Sequence, residues 1–252
     1  MRRTMILAAI AAVLTLTTAP AMAAVFGDGG AGLTEVLNNI TVAPNAGVTS
    51  VNVLTDEIAD GLDKHWKITA TGGSISTMII EVADFKDNNI FGVYDITNPN
   101  NKVTIFAGSA SAGAQTTLSI DALGGVYINH VKQGDFGSTW FGYYLDSSAN
   151  NGGGLFYSDT SLNSDGLDHM YAYQGTNTDT VQIAPWGAGL WTNNEYVLAW
   201  EDLAGAYGQG SDRDFTDMVV MVESVMVPVP GAVLLGVLGL GAAGMRLRKR
   251  QS

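Results

Sequence analysis

Met218-Val219-Val220-Met221-Val222 is a run of five apolar residues, closed by Asp217 on one side and Glu223 on the other. It is short for a helix and rich in β-branched side chains, so it reads as a strand. A strand with one wet face alternates apolar with polar residues. This one does not, which predicts a strand covered on both faces.

Upstream, similar short runs alternate with clusters of Gly, Asn, Asp and Ser. Trp66 to Thr71, Met78 to Val82, Phe91 to Ile96, Val103 to Phe106, Thr116 to Ile120, Val126 to Val131 and Thr139 to Leu145 read as strands. So do Leu155 to Tyr157, Met170 to Tyr173, Val181 to Ile183, Tyr196 to Trp200 and Met218 to Val225. Asn98 to Asn101, Asp121 to Gly125 and Asn150 to Gly154 are the expected turns, the last a hairpin loop within one domain. Val51 to Leu62 has room for a turn or two of helix, and residues 24–34 read as a loose Gly-rich start. The predicted fold class is all-β, a β-sandwich or jelly roll over 65–226, after a lead-in over 24–64.

The two ends differ from this middle. Met1-Arg2-Arg3, an apolar stretch from Met5 to Leu16, and Ala21-Met22-Ala23 have the layout of a secretory signal peptide over 1–23. At the other end Val227-Pro228-Val229-Pro230 precedes 15 uncharged residues, Gly231 to Met245, and then Arg246, Arg248, Lys249 and Arg250. As a helix, Gly231 to Met245 is roughly 22 Å long, short for a hydrocarbon core of about 30 Å. The basic cluster behind it favours a cytoplasmic C-terminus. All 24 acidic residues but only six of the 12 basic ones fall in 24–227, giving that region a formal charge of −18. Such a field opposes nucleic acid and anionic lipid and favours divalent cations. With no cysteine, thiol chemistry and cysteine metal sites are excluded.

Eighteen of the acids are Asp, a short side chain suited to turns and hard cations. They concentrate late in the chain. Trp200-Glu201-Asp202-Leu203 is followed by a Gly-rich loop and then Ser211-Asp212-Arg213-Asp214-Phe215-Thr216-Asp217. The loop is short enough to fold Glu201 and Asp202 back onto Asp212, Asp214 and Asp217. Unneutralised carboxylates so close would repel one another by about 1 kcal/mol per pair in water. A Ca²⁺ ion, which takes oxygen ligands only, would relieve them. The spacing is not that of an EF-hand. A structural acidic turn is the competing reading. Asn163, Asp165 and Asp168 form a second, weaker candidate, beside a His169 read as a hydrogen-bonding residue.

Two resemblances accompany these motifs. Val227-Pro228-Val229-Pro230, the Gly-, Leu- and Ala-rich segment and the Arg-rich end resemble the PEP-CTERM sorting signal of Gram-negative bacteria, with Val229 where a glutamate usually stands. That resemblance implies an exosortase-type membrane protease as partner and a transient inner-membrane intermediate. It also implies display at the cell surface or in an extracellular polysaccharide matrix. Glu201-Asp202-Leu203 and Asp212-Arg213-Asp214-Phe215-Thr216-Asp217-Met218-Val219 resemble the end of an uncharacterised domain of secreted bacterial surface proteins. Phe91 to Asp95, Phe141 to Asp146, Phe156 to Asp159 and Asn163 to His169 are similar to other proteins carrying it, which implies a domain over most of 65–225. It implies an all-β fold and a calcium role, and no reaction.

No Gly-x-Ser-x-Gly and no phosphate loop is present, and His65, His130 and His169 are scattered. Glu195 and Glu201, flanking Trp200, could serve as a glycosidase pair if about 5–10 Å apart. Trp140, Trp186, Trp191 and Trp200 could stack on sugar, though a β core is the commoner fate of such residues. The expected protein is therefore not an enzyme: it is an exported, calcium-stabilised structural or adhesive protein. A carbohydrate-binding module or polysaccharide-active enzyme is the alternative.

Overall fold

The computed structural model describes residues 25–81 and 88–228. The signal peptide, Val229, Pro230 and the segment from Gly231 onward lie outside the described residues. No helix among the described residues is long and apolar enough to cross a membrane.

In chain order the elements are α1 (Ala31–Ile40), β1 (Thr41–Ala43), α2 (Asp60–Asp63), β2 (Lys67–Ile68), β3 (Ser74–Glu81), β4 (Ile90–Asp95), β5 (Asn98–Phe106), β6 (Gln115–Ile120) and β7 (Gly125–Ile128). They continue with β8 (Val131–Asp135), β9 (Phe141–Asp146), β10 (Leu155–Tyr157), β11 (Met170–Gln174), β12 (Thr180–Val181), β13 (Gly189–Leu190), β14 (Glu195–Trp200), β15 (Met218–Glu223) and β16 (Val225–Met226). The fold is all-β in character, with antiparallel pairing throughout its strand ladders.

Two sheets dominate. One has the order β10-β9-β4-β5, the other β11-β14-β15-β3-β6-β7-β8. They share one buried cluster: Phe91, Val93, Tyr143 and Leu145 come from the first, and Met78, Leu198, Trp200, Met218 and Val220 from the second. Phe91 meets Trp200 edge-on with ring centroids 6.1 Å apart, and Trp66 meets Tyr196 in the same way at 4.9 Å. Such edge contacts suit the ring quadrupoles.

The opposite face of the larger sheet is covered as well. Tyr171, Tyr173, Val197, Ala199, Val219 and Met221 point away from the first cluster into a second one, formed with α1 and with Val181, Ile183 and Trp191. Successive residues of β15 thus feed alternate clusters, as the period of a strand dictates. The all-apolar run 218–222 has this cause.

Some local expectations are corrected. Of the loose start expected over 24–34, the described residues 25–34 show order, because α1 begins at Ala31. Asp28 accepts hydrogen bonds from the N–H groups of Gly30 and Gly32, and Leu33, Val36, Leu37 and Ile40 bury one stripe of the helix. The turn expected at Asn98 to Asn101 lies earlier, at Ile96-Thr97, where Asp95 Oδ1 accepts from the Thr97 N–H and hydroxyl. Pro99 is tolerated because β5 is an edge strand. The run Val126 to Val131 is broken by a turn at Asn129 and His130, both with positive φ. Asn150 to Gly154 does connect the β9–β10 hairpin.

Candidate metal centre

The acidic loop joins β14 to β15, and strand register positions its ends. Trp200 stands opposite Met218 in the antiparallel pair. Glu201 and Asp217, one residue further on each strand, therefore emerge side by side. The loop then returns Asp212 and Asp214 to the same place. Glu201, Asp212, Asp214 and Asp217 each offer a carboxylate oxygen, and these four lie within 4.8 Å of one another. Oxygens this close together could hold one metal ion between them.

The loop holds an unusual shape. Arg213 and Phe215, on either side of Asp214, both have left-handed backbone, with φ of 51° and 58°. Side chains rarely adopt this, at a cost of roughly 1–2 kcal/mol per residue. Phe215 offsets it by full burial: its ring stacks on Tyr171 with centroids 3.8 Å apart and meets Phe26 edge-on. The Arg213 guanidinium lies over the Phe215 ring and donates to the backbone carbonyl of Asp168. The Gly27 N–H donates to the Arg213 carbonyl, so the start of the domain clasps the loop.

Electrostatically the cluster is short of positive charge. Among the described residues no basic side chain forms an ion pair with any of its four acids. Glu201 is fully buried, and its Oε2 has no hydrogen-bond partner. Burial, with the charges of Asp212, Asp202 and Asp214 adding, pushes its carboxyl up to about 7. Burial also raises Asp217, helped by Asp202 and Glu201, and raises Asp212, helped by Asp214. Asp214 Oδ1 accepts from the Thr216 N–H and hydroxyl. An orphaned buried oxygen among acids is the setting in which an oxygen-binding cation fits.

Asp202, the fifth residue expected here, has another partner. Its Oδ2 accepts from Asn89 Nδ2 at 2.8 Å, and its N–H donates to Asp217 Oδ2 at 2.9 Å. It positions Asp217 and is absent from the converging four.

Asn163, Asp165 and Asp168 are drawn into separate tasks. The Asn163 side chain accepts from the Tyr157 N–H and donates to the Leu167 carbonyl. Asp165 Oδ2 accepts from the Gly205 N–H and lies 3.0 Å from His169 Nε2. His169 is buried, stacks on Phe156 and places Nδ1 3.1 Å from the Glu201 carbonyl. Asp168 instead converges with Glu57 and Asp60. Sequence reading passed over Glu57 and Asp60, although acids recur every third residue at Glu57, Asp60 and Asp63.

The remaining candidates also find places. Glu195 opens β14 and Glu201 follows its end, six residues on, so the backbone separates them by about 20 Å. That is too far for a glycosidase pair. Trp191 and Trp200 are core residues, whereas Trp186 is 43% exposed. Trp140 is partly buried, with the Lys67 ammonium over its ring.

Residues 136–225 match the family model described as Domain of unknown function (DUF4114). The match is narrower than the 65–225 expected from sequence, and it contains the whole acidic loop. No curated protein and no solved structure matches the chain.

Proposed function

We propose that the chain is an exported structural or adhesive protein of a bacterial surface or extracellular matrix, with a β domain ordered by Ca²⁺ bound at Glu201, Asp212, Asp214 and Asp217. The observation that carries this reading is the convergence of four carboxylates at a strand-end loop, one of them with an orphaned buried oxygen. The ligand set is all oxygen, with no His in the cluster, which suits Ca²⁺ better than zinc. The ion neutralises the loop and fixes its shape without taking part in a reaction.

Localisation rests on the two ends of the sequence. The last strand among the described residues ends at Met226 and the proline motif begins at Val227, so an exosortase-type protease would act just past that strand. Processing there would pass the domain from a membrane-held intermediate to the surface or matrix. Melting curves in millimolar calcium and in chelator test the metal: the transition rises with calcium, and an unchanged transition refutes the calcium role. Mass spectrometry of the C-terminus of protein recovered from cells tests the address, with loss of the segment after Pro230 as the expected result.

A second reading, a sugar-binding module, is favoured by one feature. Trp186 and Leu190 are exposed beside Glu195, Glu223 and Gln115 in a shallow cavity. An aromatic platform flanked by carboxylates is how proteins hold a sugar ring, stacking on one face and accepting from hydroxyls. A glycan array probed with the full chain and with Trp186→Ala separates the two readings.

A further inference from the structure

The second group of acids differs from the first in where it lies and what it joins. Ile58 donates its N–H to the Ala172 carbonyl, and Glu57 bridges Tyr173, which fixes this part of the lead-in against β11, an edge strand. Just beyond, α2 carries Asp60 and Asp63 three residues apart, a spacing that puts them on one side. Asp168 enters from the residues before β11: its Oδ1 accepts from the Met170 N–H, which leaves Oδ2 free. One carboxylate oxygen each from Glu57, Asp60 and Asp168 lies within 4.8 Å of the others.

An independent observation points to a ligand. Asp63 is only 1% exposed, and neither of its carboxylate oxygens has a hydrogen-bond partner. It stands three residues after Asp60 in α2, on the same side of the helix. Glu57 Oε1 and Asp168 Oδ2 are likewise buried without partners. Among the described residues no basic side chain forms an ion pair with any of the four. A carboxylate stripped of water and of donors costs several kcal/mol unless a proton or a cation meets it. A proton satisfies one oxygen, whereas a cation of the calcium type takes six to eight and can serve Glu57, Asp60 and Asp168 at once.

We propose that Glu57, Asp60 and Asp168 form a second divalent-cation site beside the buried Asp63, one that clips the lead-in to the edge strand β11. Two of its three residues, Glu57 and Asp60, lie outside the stretch that matches the family model. It stands independently of the site at Glu201 to Asp217.

The test is equilibrium dialysis of the full chain against radioactive calcium. It is read in an Asp214→Asn/Asp217→Asn background, which removes ligands from the first site. That background retains one ion per chain, and adding Asp60→Asn and Asp168→Asn releases it. In the same background calcium slows tryptic cleavage after Lys64, which lies in the clipped segment, and the added pair abolishes the slowing. A folded background variant that binds no calcium overturns the proposal, as does binding unchanged by the added pair. If the fourfold variant fails to fold, Asp60→Asn alone decides: at least a tenfold loss of affinity supports the site, and unchanged affinity overturns it. Failure of the first site shows separately, as no loss of stoichiometry between the unmodified chain and the background variant.

Discussion

Along their length, strands β14 and β15 are dry on both faces; at one end they open into a crowd of carboxylates. Tyr196, Leu198, Trp200, Met218, Val220 and Val222 face one buried cluster, and Val197, Ala199, Val219 and Met221 face the other. One residue beyond the pair Trp200–Met218, the chain supplies Glu201 and Asp217. The dry part draws its stability from area removed from water, which ions do not affect. The acidic end has no such source: its side chains repel, and one oxygen is buried without a partner. The same hydrogen-bonded register that seals the core sets the geometry of the acids. A rigid core therefore holds in place a cluster that could not hold itself.

The largest expected effect lies in the dry part. Trp200 is fully buried where the two sheets meet. Trp200→Ala leaves a cavity and costs about 3–5 kcal/mol. Urea denaturation should give the same loss with calcium and with chelator. A loss that changes with calcium would mean that core and acidic end are not separate sources of stability.

Calcium comes next. An ion that binds only the folded state stabilises it by about 2.7 kcal/mol at a hundred times its dissociation constant. For about 200 residues, 1 kcal/mol moves the midpoint by about 2–4 °C, so a rise of roughly 5–10 °C is expected. Asp214→Ala should remove the part of the rise due to the first site, and Val220→Ala should leave it intact. Scanning calorimetry at matched ionic strength checks both.

Metal-free protein sharpens the comparison through pH. Glu201 and Glu57 are both raised to about 7, each chiefly by burial, Glu57 with the charge of Asp60 adding. Between the ordinary glutamate value and 7 the folded state holds protons that the unfolded chain has released. Stability in chelator should therefore be fullest below about pH 4.5 as far as these groups go, and decline as pH rises through 7. Glu201→Gln, which cannot ionise, should flatten part of the decline. A metal-free chain whose stability rises over that interval would show that these acids are ionised in the fold.

The dry part was legible in sequence because its signal is local: five apolar residues between two acids predict a strand covered on both faces. The acidic loop was legible for a similar reason, since Glu201 and Asp217 sit at the ends of strong strand runs. The partner of Asp202 was hidden because Asn89 comes from more than 100 residues away. The group at Glu57, Asp60 and Asp168 was illegible for the same cause. It needs the pairing of the lead-in with β11, and nothing in residues 51–63 announces that partner. Helix α1 was obscured by the glycines in front of it, although its stripe at Leu33, Val36, Leu37 and Ile40 has clear helical spacing.

Asp95 is the smallest test, and the control for all the others, because it is a buried acid that needs no cation. Its relative exposure is 3%, close to that of Glu201, yet its carboxylate accepts from the Gly137 N–H at 2.7 Å and from the N–H and hydroxyl of Thr97. Burial alone would raise its carboxyl; the donors from Gly137 and Thr97 outweigh that and hold it below the usual aspartate value. Its contribution is thus present above the ordinary aspartate range and lost as pH falls through it, the reverse of Glu201. Asp95→Ala should cost on the order of 1 kcal/mol at neutral pH, equally with calcium and with chelator. If thermal melts instead showed a calcium-dependent cost, burial without an orphaned oxygen would suffice to make an acid respond to the ion. The distinction between satisfied and orphaned carboxylates would then fail.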